Sequence, residues 1–309
     1  MSPHLRRLLA SIGLDVLRSL GIALGIVVFT FFVIRMIPGD VVDVRGLEGS
    51  LTYSQQSAMR EDLGLNKAWL QQFLDWSGMI LSGDLGQSAR YSIPIVDLLA
   101  TVLPSTILLG TTALAIGLVL GIALPTLACL YPRSVFVTLV EAITIWSITV
   151  PTFSIGITCL IVFAVWLQWI PAIGNFVVPA LILAVDTAGT LAKGLYEDMK
   201  ETQRAEFIRA ARAKGLSRTG IVLRHVLPNA LTVTIALIGL MLAGVFTGAI
   251  TMEVVFGLAG LGTMTLQAIQ GRDYAVVQAI IIWLGFAVIL ANLVTDIVRK
   301  LVDPRLRNV

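Results

Sequence analysis

Charge is scarce in this sequence: 13% of its 309 residues are Asp, Glu, Lys or Arg, against roughly a quarter in soluble globular chains. With 57% hydrophobic residues and a mean hydropathy of +0.89, the chain lacks the polar groups to cover a surface in water. Histidine and cysteine are nearly absent, at two each (His4, His225, Cys129, Cys159), and their spacing gives neither a zinc-ligand pattern nor a disulfide framework. No Gly-Lys dipeptide occurs, so no G-x-x-x-x-G-K-[ST] loop exists to cradle phosphates. H-E-x-x-H and G-x-S-x-G are missing as well, and no carboxylate or histidine cluster repeats along the chain. These absences argue against an enzyme, a metal site or a bound cofactor. The net charge of +3 is spread over predicted helix ends rather than gathered with aromatics, which argues against nucleic acid as a partner.

What the chain does have is long apolar runs, at about 16–37, 101–130, 135–168, 177–195, 229–256 and 275–298. A bilayer core of about 30 Å takes roughly 20 apolar residues in a helix, so these runs predict an all-α membrane protein with about six transmembrane helices. Arg6, Arg7 and Arg18 precede the run Leu20 to Ile37, and no small-x-small cleavage site follows it. The expectation is a retained first helix in contact with membrane lipid. From Gly39 to Asp97 four basic residues face eight acidic ones, whereas Lys193 to Arg224 holds eight basic against four acidic. The positive-inside rule then puts a long loop, about 38–98, outside and a loop at about 197–228 in the cytoplasm. Arg133, Arg299, Lys300, Arg305 and Arg307 agree with an N-in, C-in arrangement. The fourth run is short and contains Asp186, which leaves a tilted or re-entrant segment open.

Within the outer loop Trp69, Phe73, Trp76 and Ile80 recur at helical spacing among polar residues, predicting a short amphipathic helix. Gly21 with Gly25, Gly117 with Gly121, and Gly244 with Gly248 form G-x-x-x-G pairs that allow close helix packing. Ionisable residues inside the runs are few: Glu141, Asp186, Glu253 and Asp296. That is sparse for the relay of a self-sufficient secondary transporter, which stays as the alternative class.

The cytoplasmic stretch Ala205 to Asn229 reads as helix, turn, helix. Gly215 suits the left-handed position that ends the first helix, and Ser217 suits an N-cap of the second. Phe207, Ala211 and Lys214 share one face, whose small neighbours would let another protein approach.

Here the sequence resembles the inner-membrane permeases of ABC importers, of the dipeptide/oligopeptide permease B type that also includes nickel and glutathione importers. The family's cytoplasmic motif is E-A-A-x-x-x-G, nine residues, then I-x-L-P. Ala210, Ala211, Gly215, Leu227 and Pro228 match it, while Arg209 and His225 stand where the general motif has Glu and Ile. Further matching stretches are Arg35 to Asp40, Leu63 to Leu65, Gly83 to Gly86, Glu253 to Phe256, Gly260 to Gly262, Arg272-Asp273 and Asp303 to Arg305. The resemblance implies a bacterial inner-membrane, multi-pass permease subunit, residues 1–309 forming one transmembrane domain. Its implied partners are a second permease subunit, two ABC ATPase subunits and an extracytoplasmic solute-binding protein. It assigns Glu206, Phe207, Arg209, Ala210, Ala211, Arg212, Lys214, Gly215 and Leu216 to a loop that docks on the ATPase. Asp186 and Glu253 become candidates for the translocation path or gate, and peptides the first solute class, with a nickel chelate or glutathione as alternatives.

Overall fold

A computed structural model describes the backbone of residues 3–47, 49 and 51–302, with side chains from residue 12 onward except at 232–238, 240 and 298–302. The motif Asp303-Pro304-Arg305 lies outside the described residues, as do Arg305 and Arg307. Thirteen α-helices follow one another among the described residues: α1 (Pro3–Arg35), α2 (Val41–Leu47), α3 (Tyr53–Asp62), α4 (Trp69–Leu81), α5 (Ile95–Leu130), α6 (Val135–Thr149), α7 (Thr152–Cys159), α8 (Val177–Thr202), α9 (Glu206–Ala213), α10 (Arg218–Ile221), α11 (Leu227–Phe256), α12 (Leu261–Gln270) and α13 (Tyr274–Val302). π-Helical turns, Leu160–Trp166 and Val222–Val226, extend α7 and join α10 to α11.

By length and composition four helical stretches can cross a bilayer: Ile12–Arg35, Ile95–Leu130, Val177–Thr202 and Tyr274–Ile297. Two broken pairs raise the number to six if each counts as one span, namely Val135–Thr149 with Thr152–Trp166 and Met241–Phe256 with Leu261–Gln270. The sequence run 135–168 is therefore not one straight helix, for its two halves meet at 100°. Pro151 causes the break. It has no N–H to continue the ladder and drives the residue before it out of the α region, and Val150 accordingly sits at φ −111°, ψ 118°.

The chain divides into two compact units, one of Met1–Val16, Ser105–Leu258 and Leu290–Val309, the other of Leu17–Pro104 and Ala259–Ile289. In the first, α8 is the central element. A Cβ on Gly117 would stand 2.7 Å from the Thr187 Cβ, one on Gly121 2.8 Å from the Leu191 Cδ2, and one on Gly189 2.4 Å from the Ile143 carbonyl oxygen. Glycine thus brings α8 to near backbone contact with α5 on one side and α6 on the other. Close packing of this kind holds membrane helices together where lipid removes the hydrophobic drive. The Gly21–Gly25 pair, in contrast, has nothing within 4 Å of where its Cβ atoms would be, so that motif lines an open face of α1.

The second unit gathers the end of α1, α2, α3, α4, the first turns of α5, α12 and the start of α13 around an apolar cluster that includes Ile34, Ile95, Leu99, Leu261, Val276 and Ile280. The amphipathic helix expected around Trp69 is α4. Its Phe73 and Trp76 each stand 5.1 Å, centroid to centroid, from the fully buried Phe31 of α1. α2 and α3 were not expected, though their start signals are ordinary. Asp40 and Asp43 cap α2 reciprocally, each carboxylate accepting the other's backbone N–H at 2.8 and 2.9 Å. Gln55 accepts the Thr52 backbone N–H at 2.8 Å at the start of α3.

Candidate functional site

The segment after α8 is a polar stretch of the first unit with two short helices. α8 ends at Thr202, the chain turns, and α9 begins with Glu206, whose charge suits a helix N-terminus. Ile208 and Ala211 point inward and are buried in a cluster with Cys129 of α5, Val140 of α6, Leu195 and Met199 of α8 and Val226. α9 therefore rests on the ends of several helices. Ala211 serves that packing and is not on the exposed face, where Glu206, Phe207, Arg209, Ala210, Arg212 and Lys214 stand. Phe207, at 48% exposure, is a large aromatic side chain left at the surface.

Gly215 has φ +78° and its N–H donates to the Arg212 carbonyl at 3.0 Å, while the Leu216 N–H reaches back to Ala211 at 3.3 Å. This is the left-handed turn anticipated at that glycine. Leu216 beyond it is 41% exposed. Ser217 then caps α10, its Oγ accepting the Gly220 N–H at 3.2 Å. Arg218 donates through Nη2 to the Cys129 carbonyl at 2.9 Å, which satisfies an orphan acceptor in the last turn of α5 and places a cation at its negative end. The π turns Val222–Val226 immediately precede Pro228, whose ring would press on the carbonyl four residues back in a regular helix. Asn229 repairs part of the ladder there by donating from Nδ2 to the His225 carbonyl at 2.7 Å.

Asp186 and Glu253 lie apart from this loop. Asp186, half-buried on α8, accepts from Ser147 Oγ of α6 at 3.2 Å, and Ser147 also stands 3.1 Å from Thr190 Oγ1. Glu253 of α11 is wholly buried, flanked on its helix by the buried Met252 and Phe256. Its backbone carbonyl accepts from Gly257 and Leu258, the turn that closes α11 with Gly257 at φ +61°.

In the second unit several of the sequence stretches singled out above come together. Tyr274 Oη donates to the Gly39 carbonyl, and the Arg272 guanidinium fills the space that a side chain on Gly39 would take, with Nη1 1.4 Å from the ideal Cβ position. Asp273 is buried and accepts from Ser88 Oγ at 2.5 Å and the Arg90 N–H at 3.2 Å. Arg60 bridges Asp40 at 3.0 Å and also Asp43, and those partners raise its pKa, the Asp40 hydrogen bond foremost. Sequence reading recognised these stretches separately. Nothing local in the chain announces that residues 39 and 274 meet. Among the described residues no three His, Cys, Asp or Glu side chains gather as metal ligands would.

Residues 113–308 match the family of binding-protein-dependent transport system inner membrane components. A putative peptide transport system permease protein of Brucella abortus (strain 2308) is 31% identical over 305 residues, covering 94% of this chain and 97% of that one. The oligopeptide transport system permease protein OppB of Haemophilus influenzae is 30% identical over 290 residues, covering 91% and 94%. Among solved structures, an inward-facing form of the MetNI methionine ABC transporter shares the fold, with a TM-score of 0.58 and 21% identity over 67% of this chain and 97% of that one. The chain belongs to the binding-protein-dependent transport system inner membrane component family, and it is a multi-pass permease subunit of an ABC importer.

Proposed function

We propose that this subunit forms half of the translocation path of a bacterial inner-membrane importer for di- or oligopeptides, and that the loop at about 197–228 couples it to the ATPases. The observation that carries the coupling role is α9: one face anchored among the ends of α5, α6 and α8, the other exposing Phe207, Arg209, Ala210 and Lys214. A rigidly seated helix with a free outer face is suited to receive a partner's movement and hand it to membrane helices. The peptide assignment rests on the names of relatives such as OppB at 30% identity. In this reading the whole chain acts as one transmembrane domain, N-in and C-in, and has no catalytic step of its own. A second permease subunit completes the path, two ATPase subunits hydrolyse ATP, and an external binding protein delivers solute. Asp186 and Glu253 belong to the path or its outer gate.

Reconstitution tests this directly. The subunit is assembled in proteoliposomes with a second permease, two ATPases and a binding protein from the same organism, and uptake of labelled trialanine is compared with that of nickel and glutathione. ATP-dependent peptide uptake is the expected result. Uptake of nickel or glutathione without peptide would replace the solute assignment, and ATP hydrolysis by this subunit alone would overturn the division of labour.

A further inference from the structure

The second unit carries a half-open cavity of about 830 Å³, within the range of roughly 300–1,000 Å³ usual for small-molecule sites. Its wall comes from the Arg35–Asp40 stretch, from Trp69, Gln72 and Trp76 of α4, and from Arg272 through Gln278 at the start of α13. All of it belongs to the second unit, whereas residues 197–228 belong to the first.

Several charged groups on the wall have partners, although Asp40 and Asp43 share one guanidinium and Asp273 has only neutral donors. Asp40 and Asp43 are paired with Arg60, Lys67 with Asp75 at 2.7 Å, and Asp273 holds Ser88 and the Arg90 N–H. Asp62 sits exposed at the end of α3. What is left over is donor-rich. Arg35 donates only to neutral groups, Gln72 Oε1 at 2.9 Å and the Phe31 carbonyl at 3.4 Å, and lies over the Phe31 ring at 3.5 Å. Arg272 makes no salt bridge among the described residues, although Asp43 Oδ2 stands close by, 3.1 Å from the ideal Gly39 Cβ position that Arg272 Nη1 approaches to 1.4 Å, and its backbone is held at φ +50°, a left-handed conformation an arginine rarely adopts. Gln278 is 2% exposed, and its Nε2 has no hydrogen-bond partner among the described residues. Buried amide donors are nearly always satisfied, so this one is a feature to be explained. Two guanidinium groups and a buried amide donor beside Trp69, Trp76, Ile37 and Leu65 make a wall suited to a carboxylate on an apolar body.

We propose that this cavity is a docking site for the carboxylate end of a short peptide, with Arg272 and Arg35 facing the carboxylate and Gln278 supplying a further donor. The proposal rests on the peptide reading above and adds a station on the subunit itself, separate from the path residues. The test is equilibrium dialysis of radiolabelled trialanine against the full chain in phosphatidylcholine nanodiscs, in parallel with trialanine uptake by the complete reconstituted complex. Saturable binding is expected, with trialanine amide bound about tenfold more weakly, because its terminus offers no charge to the guanidinium groups. Arg272→Met and the near-isosteric Gln278→Leu, which removes the donor without emptying the wall, should each weaken trialanine binding several-fold while leaving the amide unchanged. Equal affinity for acid and amide, no saturable binding, or wild-type binding by both variants would overturn the proposal. So would loss of trialanine binding in phosphatidylglycerol nanodiscs, which would assign the cavity to an anionic lipid headgroup. Uptake by the complex without binding to the subunit would sink this site alone, whereas absence of both would sink the peptide reading with it.

Discussion

Replacing Gly215 isolates the contribution of one turn to coupling. Its φ of +78° is in the left-handed region, and no atom lies within 4 Å of where a Cβ would stand. A side chain there meets no neighbour, so the penalty comes from the backbone alone. For an L-residue held left-handed it is about 1–2 kcal/mol, at the upper end for a β-branched side chain and smaller for Asn. If that strain is relieved when the turn leaves its docked geometry, the population able to engage the ATPase falls by a factor of roughly 5–30 in Gly215→Val. Three quantities are read together: subunit abundance in the membrane, ATPase retained on purification, and peptide uptake. Abundance should stay near wild type, because Ile208 and Ala211 still anchor α9. Retention and uptake should fall in the order Gly, Asn, Ala, Val, and Ala100→Val, at an exposed position in the other unit, should match wild type. Wild-type retention and uptake in Gly215→Val would refute the claim that coupling passes through this turn.

Other outcomes are expected from the same geometry. Gly189→Ala should lower the thermal stability of the detergent-solubilised protein, since its Cβ would fall 2.4 Å from the Ile143 carbonyl oxygen and overpacking of this kind costs about 1–3 kcal/mol. Gly244→Ala, with open space at its Cβ, should leave the melting temperature unchanged or slightly raised. Arg218→Ala should cost about 1 kcal/mol by uncapping α5, seen as a lower melting temperature without loss of membrane insertion. Cysteines at Ser57 and Ser217, both exposed, should react with a membrane-impermeant maleimide from opposite faces, Ser57 from outside; labelling of both from one face would overturn the six-span model.

The features visible in the sequence were those with a local cause. Apolar runs gave the spans, Gly215 and Ser217 gave the turn, and Trp69, Phe73 and Trp76 gave α4. Pro151 was equally visible, but a long apolar run outweighed it and the break in 135–168 was missed. α2 and α3 went unread because a loop rich in acidic residues has little apolar periodicity, although Asp40, Asp43, Thr52 and Gln55 carry cap signals. The burial of Ala211 has a cause of another kind. Helical spacing says which residues share a face, and only the packing of α5, α6 and α8 decides which face turns inward. The meeting of Gly39 with Arg272 and Tyr274 depends on contacts more than 230 residues apart in sequence, for which a single chain carries no local mark.

The bond from Arg218 to the Cys129 carbonyl bears on how stiffly the loop is mounted. Ile208 seated among helix ends and Arg218 tied to the last turn of α5 fix the loop to those helices at two points. The glycine contacts at 117, 121 and 189 pack α5, α8 and α6 closely against one another. On the coupling role proposed above, a displacement of α9 would reach α5, α6 and α8 together, as a rotation of the packed group.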